Sequence, residues 1–349
     1  GTDSEAGVKI AIDDKGGKVA GREIRLIDQD AGCTVEGGAT AATKLAADKT
    51  IVGLIGSTCS DETVGGIKSI SEAGMTTISP SNTRPLLTDP KRDATFAGYL
   101  RTAHSDAFQG KAVAEFVFNQ LKLKNAATLH DGSAYAEALV GVFKTEFENL
   151  GGKVVAAEAI AKKQTDMKPA LGKIASAKPD VLYMPIFTAE GGYTVAQSRD
   201  VSGLEKTVLI GSDGIFSGDF VKAAGPNVKG MYLSSPNFSA FQAGYADFLK
   251  KYKAKFGTEP TQAFHAHAYD AANIMFAAIE KVAKTDGDNL VIDRKALRDA
   301  IYATKDFKGI TGTLTCSQYG DCGAPLIAVY QVTDREIGGK WPPEKPVWP

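Results

Sequence analysis

Short apolar runs alternate with amphipathic stretches through the first two thirds of this chain, and that alternation leaves few folds open. Glu23 to Ile27, Ile51 to Ile55, Thr76 to Ser79, Ala126 to His130, Lys153 to Ile160, Val181 to Ile186, Val208 to Gly211 and Met231 to Ser234 read as strands. Between them, Val35 to Ala47, Thr63 to Ala73, Phe108 to Leu121, Ala136 to Leu150, Met167 to Ala177 and Thr188 to Val201 repeat their apolar residues at helical spacing. Strands separated by single helices wind parallel sheets rather than sandwiches or bundles. Gly16-Gly17, Gly74, Gly151-Gly152 and Gly203 close periodic segments, as residues that take the left-handed conformation at helix ends do.

The pattern changes in the last third. Tyr245 to Phe256 and Phe264 to Val282 are helical stretches with no strand between them, separated by Gly257-Thr258-Glu259-Pro260, and a third helix runs from Arg294 to Tyr302. A final strand, Leu326 to Val332, precedes a tail from Trp341 to Pro349 too rich in proline for regular structure. At 349 residues the chain exceeds one typical core. The expected architecture is α/β, with two Rossmann-like lobes of parallel sheet joined by more than one crossing strand. Lobe 1 is expected to span residues 1–105 and 237–327, and lobe 2 residues 106–236 and 328–349.

Forty basic residues against forty-one acidic ones, interspersed along the chain, create no field for a nucleic-acid backbone or an anionic membrane. No stretch approaches the roughly 18 consecutive apolar residues of a membrane span, and Gly1-Thr2-Asp3-Ser4-Glu5 contains no export-signal pattern. The four cysteines, Cys33, Cys59, Cys316 and Cys322, formally allow three pairings. Cys33 and Cys59 follow consecutive strand-like runs, so neighbouring parallel strands would bring them to one sheet edge. Cys316 and Cys322 enclose a short, turn-rich loop. Both pairs read as disulfides of an oxidising compartment; zinc is the competing reading, although no CxxC occurs.

From Thr50 to Thr83 the chain reads strand, hydroxyl-rich turn, helix, strand, hydroxyl-rich turn. In an open parallel sheet both turns leave the carboxyl edge, where such folds bind ligands. Ser60, opening a helix, offers its hydroxyl and nearby free backbone N–H groups to a carboxylate. The plainer reading makes Ser60 and Thr83 ordinary cap and turn residues.

Together these blocks resemble the periplasmic leucine/isoleucine/valine-binding proteins, amino-acid receptors of ABC importers with the type I periplasmic binding fold. The resemblance covers nearly the whole chain. It is carried by Asp13-Asp14-Lys15-Gly16-Gly17, Asp28 to Cys33, Ile55-Gly56-Ser57-Thr58-Cys59-Ser60, Ile78-Ser79-Pro80-Ser81-Asn82-Thr83, Arg101-Thr102 leading to Gln109-Gly110, and His130-Asp131-Gly132-Ser133-Ala134-Tyr135. In that family, cysteines at the places of Cys33 and Cys59 form a disulfide.

The resemblance implies a ligand site. Ser60 and Thr83 match hydroxyl residues that hold the ligand carboxylate, a task suited to neutral donors. Ser81 matches a position whose backbone carbonyl accepts from the ligand ammonium, and Asp213 matches the acid that completes the ammonium site, since a buried cation needs such a partner. Tyr135 and Phe187 match aromatics of the second lobe. Phe187 stands where the family often has Tyr, and Asp213 replaces a Glu, so the pocket differs at both places. Family members also begin with a strand and a loop ahead of the helix that starts here near Thr2. A central strand cannot be missing from a stable parallel sheet, so the natural protein is expected to be longer.

Other chemistry is poorly supported. The His265-Ala266-His267 pair points to different faces of one helix and is expected to pack at the surface or between lobes. His104 and His130 are expected to be hydrogen-bonded beside the cleft. Ser60, Asp213 and His130 suggest a triad in composition alone, without a G-x-S-x-G elbow, phosphate loop or dinucleotide motif. The expectation is a non-enzyme without metal or cofactor: a monomeric, periplasmic or lipid-anchored receptor that closes around an aliphatic L-amino acid and delivers it to a membrane permease. Two other readings stand beside it, a binding protein for another small carboxylate (an aromatic acid, amide or ω-amino acid) and a sensory ectodomain of the same fold.

Overall fold

The computed structural model describes residues 1–349. The chain divides into two compact units. The first comprises Gly1–Ser105, Ala240–Pro260 and Phe264–Ala324; the second comprises Asp106–Ser239, Thr261–Ala263 and Pro325–Pro349. Residues 237–239, 261–263 and 325–327, assigned to lobe 1 from sequence, therefore cluster with the second unit.

In the first unit three short parallel strands, Leu54–Ile55, Thr77–Ser79 and Tyr99–Arg101, lie side by side in that order. Helices Val35–Ala47 and Ser60–Glu72 pack closely: a Cβ on Gly38 would stand 2.2 Å from the Glu62 carbonyl oxygen, so only glycine fits there. Thr34 caps the first of these helices by accepting from Gly37 N. The long helix His265–Val282 contributes Ile274, Met275 and Ile279 to a core shared with Ile78, Leu100, Leu297 and Leu314, and both Cys316 and Cys322 lie in it. A second layer packs Ile67, Ile70, Met75 and Tyr99 together.

One expected strand of this unit does not form as predicted. Only Arg22–Glu23 pairs, and it pairs antiparallel with Lys18–Val19 in a local hairpin. Ile24 turns into an apolar cluster with Val8 and Phe276, while Leu26 and Ile27 are 39% and 44% exposed. An apolar run becomes a strand where neighbouring backbone meets it in register, and that condition is not local in sequence. Cys33 and Cys59 are bonded all the same. Cys33 reaches its partner from the turn before helix Val35–Ala47, not from the end of a paired strand.

The second unit is built on a six-stranded sheet. Its order is Ile327–Gln331, Tyr232–Pro236, Val208–Gly211, Val181–Met184, Asn125–His130 and Lys153–Ala159. All neighbours run parallel except the pair Tyr232–Pro236 with Ile327–Gln331. Helices Asp106–Glu115 and Ala134–Asn149 bury Val113, Leu139, Phe143 and Phe147 against Val181, Tyr183 and Ile210. Phe143 packs on Tyr183 with ring centres 4.7 Å apart. The proline-rich tail makes no strand, but Val347 and Trp348 each donate to the Val329 carbonyl, which ties the tail to the sheet edge.

Candidate functional site

Ser60, Ser81 and Thr83 all stand at the carboxyl edge of the three-stranded sheet, after strands Leu54–Ile55 and Thr77–Ser79. Ser79 Oγ donates to the Ser57 carbonyl (2.7 Å) and accepts from Ser81 N and Asn82 N. Ser81 Oγ donates to the Thr58 carbonyl at 2.8 Å. Asn82, fully buried, clamps the loops: its Nδ2 donates to the Ser57 carbonyl and its Oδ1 accepts from Thr63 and Ser57 hydroxyls.

The amides just ahead of helix Ser60–Glu72 are taken up by a carboxylate on its first turn. Glu62 accepts from Thr58 N and Cys59 N at 3.0 Å each and from Cys33 N at 2.9 Å. That carboxylate fixes the turn beside the disulfide by satisfying donors a helix start leaves over. Ser60 and Thr83 are 2% and 0% exposed, and neither hydroxyl has a hydrogen-bond partner. Two buried orphan hydroxyls on adjacent loops are costly unless something accepts from them.

A buried arginine holds the outer loop in place. Arg101 pairs with Asp321 (2.5 Å), donates to the Asn82 and Arg84 carbonyls at 3.2 and 2.9 Å, and donates to Thr88 Oγ1. Thr83 lies between the two carbonyls that Arg101 grips. Asp321 sits on the loop closed by the Cys316–Cys322 bond, and that loop also exchanges backbone hydrogen bonds with Arg101. The sequence reading marked Arg101 as part of a family block without a role; Asn82 and Glu62 went unassigned. Their signal was position, polar residues inside turns that the core surrounds.

In the second unit, Tyr135, Phe187 and Asp213 come together. Tyr135 opens helix Ala134–Asn149, which Ser133 caps, and its ring lies 5.5 Å from that of Phe187, the residue before helix Thr188–Ser198. The Tyr135 hydroxyl bonds Ser212 Oγ (2.6 Å) and donates to Asp213 Oδ1 (2.9 Å), so it is a polar anchor as well as a wall. Asp213 begins a single turn, Asp213–Ile215, after strand Val208–Gly211. Burial lifts its carboxyl to about 6, against the pull of hydrogen bonds from Tyr135 and Gln109. Burial and the Asp213 charge push the Tyr135 phenol well above its ordinary range, so it remains a donor.

The histidines have structural places. His265 and His267 are buried, not at the surface as the sequence reading allowed, because the helix they open packs among Tyr245, Phe248 and Phe241. His265 Nε2 lies 2.8 Å from the Tyr245 hydroxyl, and burial holds His267 well below the usual range. His104 packs on Phe264, and His130 Nδ1 accepts from Gly132 N. The charged faces of the outer helices form exposed pairs such as Lys144 with Glu148 and Lys251 with Asp14.

Known proteins share this construction. The sequence profile of a family described as periplasmic binding protein matches residues 1–335. Leu/Ile/Val-binding protein homolog 3 of Brucella melitensis is 28% identical over 343 residues, covering 97% of this chain and 89% of its own. The leucine-binding protein LivK of Thermotoga maritima superposes with a TM-score of 0.85 at 25% identity, covering 96% of this chain and 91% of its own. The branched-chain amino acid transporter substrate-binding protein LivJ of Streptococcus pneumoniae, solved with isoleucine, superposes with a TM-score of 0.84 at 25% identity, covering 100% and 95%. The fold is that of type I periplasmic binding proteins.

Proposed function

The chain belongs to the periplasmic binding protein family, a family of solute-binding proteins rather than enzymes, and from that premise we propose that it is the receptor of an ABC importer for an aliphatic, branched-chain L-amino acid. The observation that carries this reading is the pair of buried, unpartnered hydroxyls of Ser60 and Thr83. They suit a carboxylate, which accepts from neutral donors without bringing a second buried charge. Asp213, held by neutral donors and shielded from water, suits the ammonium end, with the Ser81 carbonyl as a further acceptor. Tyr135 and Phe187 supply apolar area for the side chain.

The ligand first settles on the Ser60 and Thr83 loops, and contacts from Tyr135, Phe187 and Asp213 then stabilise a closed state. No bond is made or broken. The protein works outside the cytoplasm, free or lipid-anchored, as a monomer, and hands its ligand to a membrane permease. The relatives that bind leucine and isoleucine support the ligand class. Calorimetry with a panel of amino acids tests it: leucine, isoleucine or valine should bind with one site per chain. Absence of heat with every zwitterion would remove the reading.

A further inference from the structure

The chain's two tryptophans both stand in the proline-rich tail, and they meet different parts of the second unit. Trp348 packs on Phe116, just beyond helix Asp106–Glu115, with ring centres 6.0 Å apart. Trp341 packs on Phe216 with ring centres 4.7 Å apart. It also covers the start of helix Gly218–Ala224, where a Cβ on Gly218 would stand 3.4 Å from its Cβ and Cγ.

Phe216 closes the turn that Asp213 opens. Its amide donates to the Asp213 carbonyl at 3.1 Å, and its buried ring also meets Tyr330 and Phe238, with centres 5.2 and 5.6 Å away. The Asp213 side chain is tied to Tyr135 and Gln109, and its backbone to Phe216. The turn is only three residues long, so a shift of the Phe216 ring is carried into the acid.

The tail is itself held firmly at this point. Arg335 Nη1 donates to the carbonyls of Lys340 and Pro342, the residues on either side of Trp341, at 2.7 and 2.8 Å. Glu336, which is buried, and Glu344 pair with the same guanidinium at 2.8 and 3.2 Å. A guanidinium is a rigid fork, and one that grips both flanking carbonyls fixes the indole between them.

We propose that Trp341 is a positioning residue for ligand binding: it fixes Phe216 and, through that ring, the backbone of Asp213. The proposal rests on the amino-acid reading above, in which Asp213 meets the ligand, and deepens it by giving the tail a part in affinity. A site whose support is loose by about 1 Å binds poorly even when every contact residue is present.

Titration calorimetry on the full chain with leucine tests this. Trp341→Ala should weaken binding by about tenfold, and Trp341→Phe, which keeps a ring against Phe216, should restore it to within about threefold of wild type. Trp348→Phe, at the far end of the tail, should bind as wild type does. A double-mutant cycle separates positioning from general support of the fold. Added to Asp213→Asn, Trp341→Ala should cost no further affinity, because its effect passes through a carboxylate that the first change has removed. Unchanged affinity in Trp341→Ala, or an equal loss with and without Asp213→Asn, would overturn the proposal and leave the amino-acid reading standing. Failure of wild-type protein to bind leucine would remove that reading and the proposal with it. Should Trp341→Ala not fold, Trp341→Leu, which keeps apolar volume over Phe216 without the ring, carries the same cycle and the same outcomes.

Discussion

Ser60→Ala and Thr83→Val should move stability and affinity in opposite directions. Each replacement removes a buried hydroxyl that has no partner and leaves the rest of the side chain in place. Leaving such a group unsatisfied costs about 1–3 kcal/mol, although water entering the ligand-free loops returns part of that cost. A net gain of about 1 kcal/mol per substitution follows for the ligand-free protein, or a rise of about 2–4 °C in melting temperature for a unit of this size. A hydrogen bond to a charged carboxylate contributes about 1.5–3 kcal/mol, so each variant should bind leucine about ten- to a hundredfold more weakly. Scanning calorimetry without ligand and titration calorimetry with leucine measure the two halves. Variants that melt lower and bind leucine as well as wild type would mean these hydroxyls serve the fold, and the argument from orphaned donors would fail.

Arg101→Met should destabilise the first unit by about 2–4 kcal/mol in urea unfolding, because it removes a fully buried guanidinium and leaves the Asn82 and Arg84 carbonyls unsatisfied, while Asp321, 38% exposed, stays in contact with water. A loss below about 1 kcal/mol would show the network to be ornamental. Asn82→Ala, which unclamps the two loops, should weaken leucine binding by about tenfold or more in titration calorimetry. Asp270 is fully buried, and burial raises its carboxyl from 3.8 to about 6 despite bonds from Ile310 N and Thr311. The folded state therefore holds this proton more tightly than the unfolded chain. Its contribution is complete below about pH 4 and is lost as pH rises through about 6, roughly 3 kcal/mol in all. Denaturant midpoints measured across that window should fall with rising pH, and less so in Asp270→Asn.

The parallel sheet of the second unit was legible because its central strands, Asn125–His130, Val181–Met184 and Val208–Gly211, are largely buried runs, and such runs pair whatever their exact bounds. The segment after Glu23 was not, since Leu26 and Ile27 look like core residues in sequence yet find no pairing neighbour. Within the candidate site, the hydroxyl turns around Ser60 and Thr83 stood out through local chemistry. The residues that hold those turns did not: Arg101 reads as an ordinary surface cation until the fold encloses it, and Asn82 as an ordinary turn residue.

Because one tyrosine holds Ser212 and Asp213 through its oxygen and packs on Phe187 through its ring, shape and charge at this end of the second unit cannot drift independently. A lineage that trims Tyr135 to admit a bulkier guest also releases the acid beside it. Changes of diet in such receptors should therefore arrive as jumps between chemical classes, not as gradual adjustments of size.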